Sequence, residues 1–187
     1  MNLSLIILAG GKSSRMGTDK GLLSFRGKPM VQHVLDNLCS HFQDTIIVCN
    51  NNKYKQFEKT IITDNHNSLG PIGGIEAGLS KSKTEHNIIV SCDSPFVSLD
   101  LISYMSAHFF SSQVIFLKKE GIHPFPGYYS KKILPSINRM IENEDLKIMN
   151  LMNYCSVLTL DCSAYNSKLF INFNTSKQIR KFDEVSS

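Results

Sequence analysis

The chain has 187 residues, of which 42% are hydrophobic and 19% charged, and this sets the expectation of one soluble globular domain with a sizeable core. The net charge of +4 is scattered, with short pairs at Lys118-Lys119 and Lys131-Lys132 and no basic stripe interleaved with stacking aromatics, so no nucleic-acid surface is expected. The apolar run Leu5 to Ala9 is too short to cross a bilayer, and neither a basic region before it nor a cleavage pattern after it marks a secretion signal, which points to a cytoplasmic chain away from membranes.

Leu3, Leu5, Ile6, Ile7 and Leu8 make a short apolar run that stops at Gly10-Gly11, the pattern of a strand buried on both faces. A polar, glycine-bearing segment follows to Gly21. Pro29 stands where a helix can begin, and Val31, Val34, Leu35 and Leu38 carry helical spacing behind it. Thr45 to Cys49 reads as the next buried strand, residues 50 to 58 as a polar stretch with room for a short helix, and Thr60 to Ile62 as a short strand ending at Asp64. Ile72, Ile75 and Leu79 predict a helix after Pro71. Asn87 to Ser91 predicts a strand ending at Cys92-Asp93, Leu101 to Phe109 a helix, and Gln113 to Leu117 a strand. Beyond residue 118 the pattern is less regular, with a helix over Lys131 to Glu142, a late strand over Ser156 to Leu160 and a last helix over Thr175 to Phe182. Alternating strands and helices imply an α/β fold: a single three-layer, Rossmann-like domain with a mostly parallel sheet.

The strongest local signal is Leu8-Ala9-Gly10-Gly11-Lys12-Ser13-Ser14-Arg15-Met16-Gly17-Thr18-Asp19-Lys20. Ligands of open α/β sheets bind beyond the carboxyl ends of strands, where this segment starts. Gly10 and Gly11 let the backbone approach an anion and offer it N–H groups, while Arg15 and Lys20 add fixed positive charge. Neither the P-loop spacing nor G-x-G-x-x-G is met. A bare G-G-K would be an ordinary turn; Arg15, Gly17 and Lys20 at these spacings point instead to a triphosphate.

Asp93 directly follows a buried strand on the same sheet edge, where a carboxylate can hold Mg²⁺ against phosphates or cap the helix after Pro95. The glycine loop favours the metal. Asp64, at another strand end, suits either a nucleotide contact or a turn. Gly70-Pro71-Ile72-Gly73-Gly74 allows close approach to a base or sugar, or simply turns the chain into a helix. The five cysteines, Cys39, Cys49, Cys92, Cys155 and Cys162, contain no C-x-x-C pair, which argues for reduced thiols rather than a disulfide or zinc framework.

These residues resemble the molybdenum cofactor guanylyltransferases, within the larger group of nucleoside-diphospho-sugar-transferase-like enzymes. The matching pieces are residues 8–20, Gly27-Lys28-Pro29-Met30, residues 70–75, Cys92-Asp93-Ser94-Pro95-Phe96, His123-Pro124 and residues 170–175, in the family's order. The resemblance implies transfer of GMP from GTP to molybdenum-molybdopterin with Mg²⁺ as cofactor, and a cofactor-delivery or recipient molybdoenzyme as partner. It places Leu8, Ala9 and Gly10 at the nucleotide, Lys20 on the phosphates, Asp64 at the nucleotide and Asp93 on the metal. Gly73 joins Gly74 near the base. Cys49 and Asn50 both fall near the family's Asn at the second strand end. His123, Pro124, Asn172, Asn174 and Thr175 match the pterin side, so residues 1–100 read mainly as the nucleotide half and 101–187 as the acceptor half. Some relatives carry adjacent arginines where this chain has Leu146-Lys147. The open alternatives are a transferase using CTP on the pterin or an NTP on a sugar phosphate, and an inert nucleotide-binding module.

Overall fold

In a computed structural model of the chain, the described residues are 2–10, 19–64 and 69–186, with side chains to residue 182 in the last helix. Among them, seven strands make the main sheet: β1 (Leu3–Leu8), β4 (Asp44–Val48), β5 (Thr60–Ile62), β6 (His86–Ser91), β7 (Val114–Lys119), β8 (Gly121–Ser130) and β9 (Val157–Asp161), in the spatial order β5-β4-β1-β6-β8-β7-β9. A separate hairpin joins β2 (Ser24–Phe25) to β3 (Lys28–Pro29). The helices are α1 (Met30–Leu38), α2 (Gly70–Lys81), α3 (Leu99–Ser106), α4 (Leu134–Glu142) and α5 (Ser176–Ser186).

Side chains alternate across a strand, and β1 uses both faces. Leu3, Leu5 and Ile7 join Val31, Val34, Leu35 and Leu38 of α1 and Leu101, Ile102 and Met105 of α3 in one core. Ile6 joins Ile72, Ile75 and Leu79 of α2 and Ile137 and Met140 of α4 in the other. This is the three-layer arrangement expected of a strand with apolar side chains on both faces. A smaller third core gathers Phe25, Met30, Phe173 and Ile179, with Phe96 and Phe182 packed against it, and so ties α5 to the β2–β3 hairpin and to the loop after β6.

Parallel pairing runs through β5, β4, β1 and β6, and again between β7 and β9. The strand β8 runs antiparallel to both of its neighbours. The sequence reading missed it because Pro124, Pro126 and two glycines interrupt the pattern. The register explains the tolerance: β6 pairs with residues 127–130 and β7 with 121–123 and 128–129, so the prolines fall in the gap, where no ladder N–H is required. The reading also missed the hairpin, whose two-residue turn places both Arg26 (φ 48°) and Gly27 (φ 78°) in the left-handed region. The helix expected over 101–109 runs instead from Leu99 to Ser106 behind Ser98.

Helix α2 lies close to β1 because Gly78 has no side chain; a Cβ there would stand 2.6 Å from Ile6 Cγ2. Gly78→Ala would gain about 1 kcal/mol in helix propensity but force apart two buried surfaces at a cost of about 2–3 kcal/mol. A net destabilisation of about 1–2 kcal/mol is expected, read as a lower urea midpoint with an unchanged slope.

Candidate active site

The carboxyl ends of four parallel strands are stitched side by side. Cys49 N donates to Ile62 O at 2.9 Å, Ala9 N to Val48 O at 2.9 Å, and Cys92 N to Leu8 O at 3.0 Å. These bonds carry the chain just past β4, β1 and β6 before each segment turns away, so Ala9-Gly10, Cys49-Asn50 and Cys92-Asp93 emerge along one rim.

Asp93 is buried, at 7% exposure. Its Oδ1 accepts from Ser91 Oγ at 2.6 Å, and its Oδ2 lies 3.7 Å from Lys20 Nζ. Lys20 sits at the start of a 3₁₀ turn, Lys20–Leu22, and its ammonium also donates to Asn174 Oδ1. Ser94 Oγ donates to Asn172 Oδ1 at 2.7 Å, and Phe173 N to Asp93 O at 3.0 Å. Residues 172–174 are therefore laced onto the Asp93 loop and Lys20, which brings the expected acceptor side to the expected phosphate side. The phenylalanine cluster beneath them, with Phe25 and Phe173 centroids 5.2 Å apart, holds this lacing in place.

A second group of expected residues meets across the ends of β1 and α2. A Cβ on Gly73 would approach Asp64 Oδ1 to 2.9 Å, and one on Gly74 would reach Leu8 Cδ2 at 3.2 Å. Asp64, Gly73, Gly74 and Leu8 thus form a tight cradle in which any larger residue would fill the space. Ala9 is buried, while Gly10 and Asn50 are exposed at the rim. Gly11 and Arg15 lie outside the described residues. His123 stands further along the sheet, with Nε2 3.0 Å from Lys119 O and its ring packed on Phe170, centroids 4.9 Å apart.

The thiols have no nucleophilic part in this arrangement. Burial, aided by neighbouring Asp93, pushes Cys92 well above the ordinary thiol range, and burial also raises Cys49. All five cysteines are free. Among the described residues no group of three or more His, Cys, Asp or Glu is arranged to hold a metal. The donor set is one buried carboxylate of hard oxygen, so it fits a divalent cation that draws its other ligands from polyphosphate and water, and not one held in a preformed protein cage.

The family described as MobA-like NTP transferase domain matches residues 5–155. The chain belongs to the MobA-like NTP transferase family. A molybdenum cofactor guanylyltransferase of Vibrio cholerae is 36% identical over 184 residues, covering 96% of this chain and 90% of that protein. The molybdenum cofactor guanylyltransferase of Vibrio vulnificus is 33% identical over 98% of this chain and 96% of its own length. The crystal structure of molybdopterin-guanine dinucleotide biosynthesis protein A from Archaeoglobus fulgidus superposes with a TM-score of 0.80 at 23% identity, over 98% of each chain, and shares the fold. No helix among the described residues is long and apolar enough to cross a membrane.

Sequence reasoning left Asp19, Asn51 and Tyr54 without a role. Asp19 Oδ1 accepts from Tyr54 OH at 2.6 Å and from Gly21 N at 3.2 Å, and its Oδ2 accepts from Asn51 Nδ2 at 2.9 Å. The signal in the sequence was the polar pair Asn50-Asn51 at the second strand end. Asn51, the second residue of that pair, is the one whose amide donates to Asp19.

Proposed function

We propose that the chain transfers GMP from GTP to the terminal phosphate of molybdenum-molybdopterin, releasing pyrophosphate and forming the guanine dinucleotide cofactor, with Mg²⁺ as the metal. The observation that carries this reading is the approach of Lys20 to Asp93, 3.7 Å apart at the rim of the sheet, with Asn174 on the same ammonium. Family membership and the names of the relatives supply the guanine nucleotide and the pterin.

An oxygen of the acceptor's phosphate monoester forms a bond to the α-phosphorus of GTP, and the bond from that phosphorus to the β-bridging oxygen breaks, its electron pair leaving with pyrophosphate. A phosphate monoester has a second pKa of about 6, so the nucleophile is ionised at neutral pH and no protein base has to remove a proton. The protein's work is to align two polyanions and offset their repulsion. Asp93 would hold Mg²⁺, which when bound neutralises charge on the phosphate oxygens. Lys20, together with Arg15, stabilises the negative charge that grows on the leaving group. The cradle of Leu8, Gly73, Gly74 and Asp64, with Ala9, Gly10, Gly11 and Asn50 beside it, takes the nucleoside. Residues 172–175 and His123 take the pterin side. The reaction runs in the cytoplasm, and its product is handed to a delivery protein or a recipient molybdoenzyme.

The test is pyrophosphate release from each of the four common NTPs, with and without molybdenum-molybdopterin. Release is expected with GTP and the pterin together, abolished by EDTA and restored by Mg²⁺. Equal release with CTP would move the chain to a cytidylyl transfer, and nucleotide binding without release would make it an inert binding module.

A further inference from the structure

Asp19 immediately precedes Lys20 and makes three hydrogen bonds that do not involve substrate. Two of its donors, Asn51 Nδ2 and Tyr54 OH, come from the segment after β4, and the third is the backbone N–H of Gly21. Asn51 is itself fixed, since its Oδ1 accepts from Lys53 N at 3.0 Å. Tyr54 is fully buried, and that burial pushes its hydroxyl far above the ordinary phenol range, which favours the O–H form that donates to Asp19.

On the other side of Lys20, Gly21 is pressed into a space with no room for a side chain. A Cβ there would lie 2.2 Å from the Tyr54 hydroxyl and 3.0 Å from Cys92 Cβ and Sγ. Lys20 is therefore bracketed: Asp19 anchors the backbone to the end of β4, and Gly21 wedges it against the residue before Asp93. A carboxylate that accepts several hydrogen bonds is a firmer anchor than a neutral amide, and an ammonium on a flexible four-carbon stem needs a fixed base to reach a set point.

We propose that Asp19 is a positioning residue which, through Asn51 and Tyr54, fixes Lys20 where it meets Asp93. The proposal rests on the transferase reading and adds to it the residues that aim its lysine. Because a misplacement of about 1 Å can cost on the order of a hundredfold in rate, Asp19→Asn, which sets an amide donor against Asn51 Nδ2, is expected to lower kcat about thirtyfold. The KM for GTP should stay within about threefold, since the misaimed charge is felt most in the transition state.

The experiment compares steady-state kinetics, melting curves and crystal structures of the wild type, Asp19→Asn, Tyr54→Phe, and the double variant Asp19→Asn with Asn51→Asp. The double variant restores a donor–acceptor pair, because the carboxylate introduced at 51 accepts from the amide introduced at 19. It should recover most of the lost kcat. The crystal structure of Asp19→Asn should show Lys20 Nζ moved away from Asp93. If Asp19→Asn does not fold, Tyr54→Phe, which removes one of the three bonds, should still lower kcat about fivefold at unchanged KM. Wild-type kcat in Asp19→Asn, a loss that the double variant does not restore, or Lys20 found unmoved would overturn the proposal. Absence of pyrophosphate release from the wild type would instead count against the transferase reading, and the crystallographic comparison would still decide the role of Asp19.

Discussion

Asp93→Ala is expected to lower kcat for GMP transfer by about a thousandfold or more, because it removes the carboxylate that would hold the metal at the phosphates. The fold should survive. The Asp93 side chain bonds Ser91 Oγ and approaches Lys20, whereas the link to Phe173 uses the backbone carbonyl and is retained. Losing one such side-chain bond at a half-buried hydroxyl costs about 1 kcal/mol, a small part of a domain's stability of about 5–15 kcal/mol. Asp93→Asn separates charge from shape, since the amide oxygen can still accept from Ser91 while the negative charge is gone. The same loss is expected from both variants. Pyrophosphate release with GTP, Mg²⁺ and the pterin acceptor is the measurement, with melting curves to establish that the variants are folded. A near-normal rate in either variant would remove Asp93 from the metal site.

Lys20→Ala is expected to lower kcat about a hundredfold and to weaken GTP binding about tenfold. The first figure is the scale for losing one fixed charge aimed at the transition state, and the second for losing a charge-assisted hydrogen bond of about 1.5–3 kcal/mol, partly replaced by water. Both should move because, in the proposed role, the ammonium would contact phosphates in the ground state and meet still more charge as pyrophosphate separates. The variant also leaves Asn174 and Asp93 without their shared cation. Steady-state kinetics together with GTP titration calorimetry separate the two effects. An unchanged GTP profile would take Lys20 out of the phosphate site.

The parallel half of the fold was legible because its chemistry is local. Leu3, Leu5, Ile6, Ile7 and Leu8 put apolar side chains on both faces of one short stretch, the mark of a strand covered on both sides, and Pro71 with Ile72, Ile75 and Leu79 carried its own helix start and periodicity. The strand β8 was not legible, since its prolines are tolerated through a break in pairing with both neighbours, which a single stretch of sequence cannot display. In the site, Lys20 and Asp93 were readable as a cation near a glycine turn and a carboxylate at a strand end. Asp19 was hidden inside the same motif: its bonds go to Asn51 and Tyr54, 32 and 35 residues further along the chain. The contact of Asp64 with Gly73 was similarly invisible, because it arises from the close seating of α2 and not from any residue type.

The bond between Lys20 and Asn174 joins positions 154 apart in the chain. Contacts that close so long a loop pay their entropy before they return any energy, and they form late in folding. A partly folded chain can therefore own a finished sheet and yet lack the junction between the proposed phosphate and acceptor sides. On the proposed assignment of these residues, triphosphate chemistry would wait until the two distant stretches have met, and an immature molecule would have little means of wasting nucleotide on water.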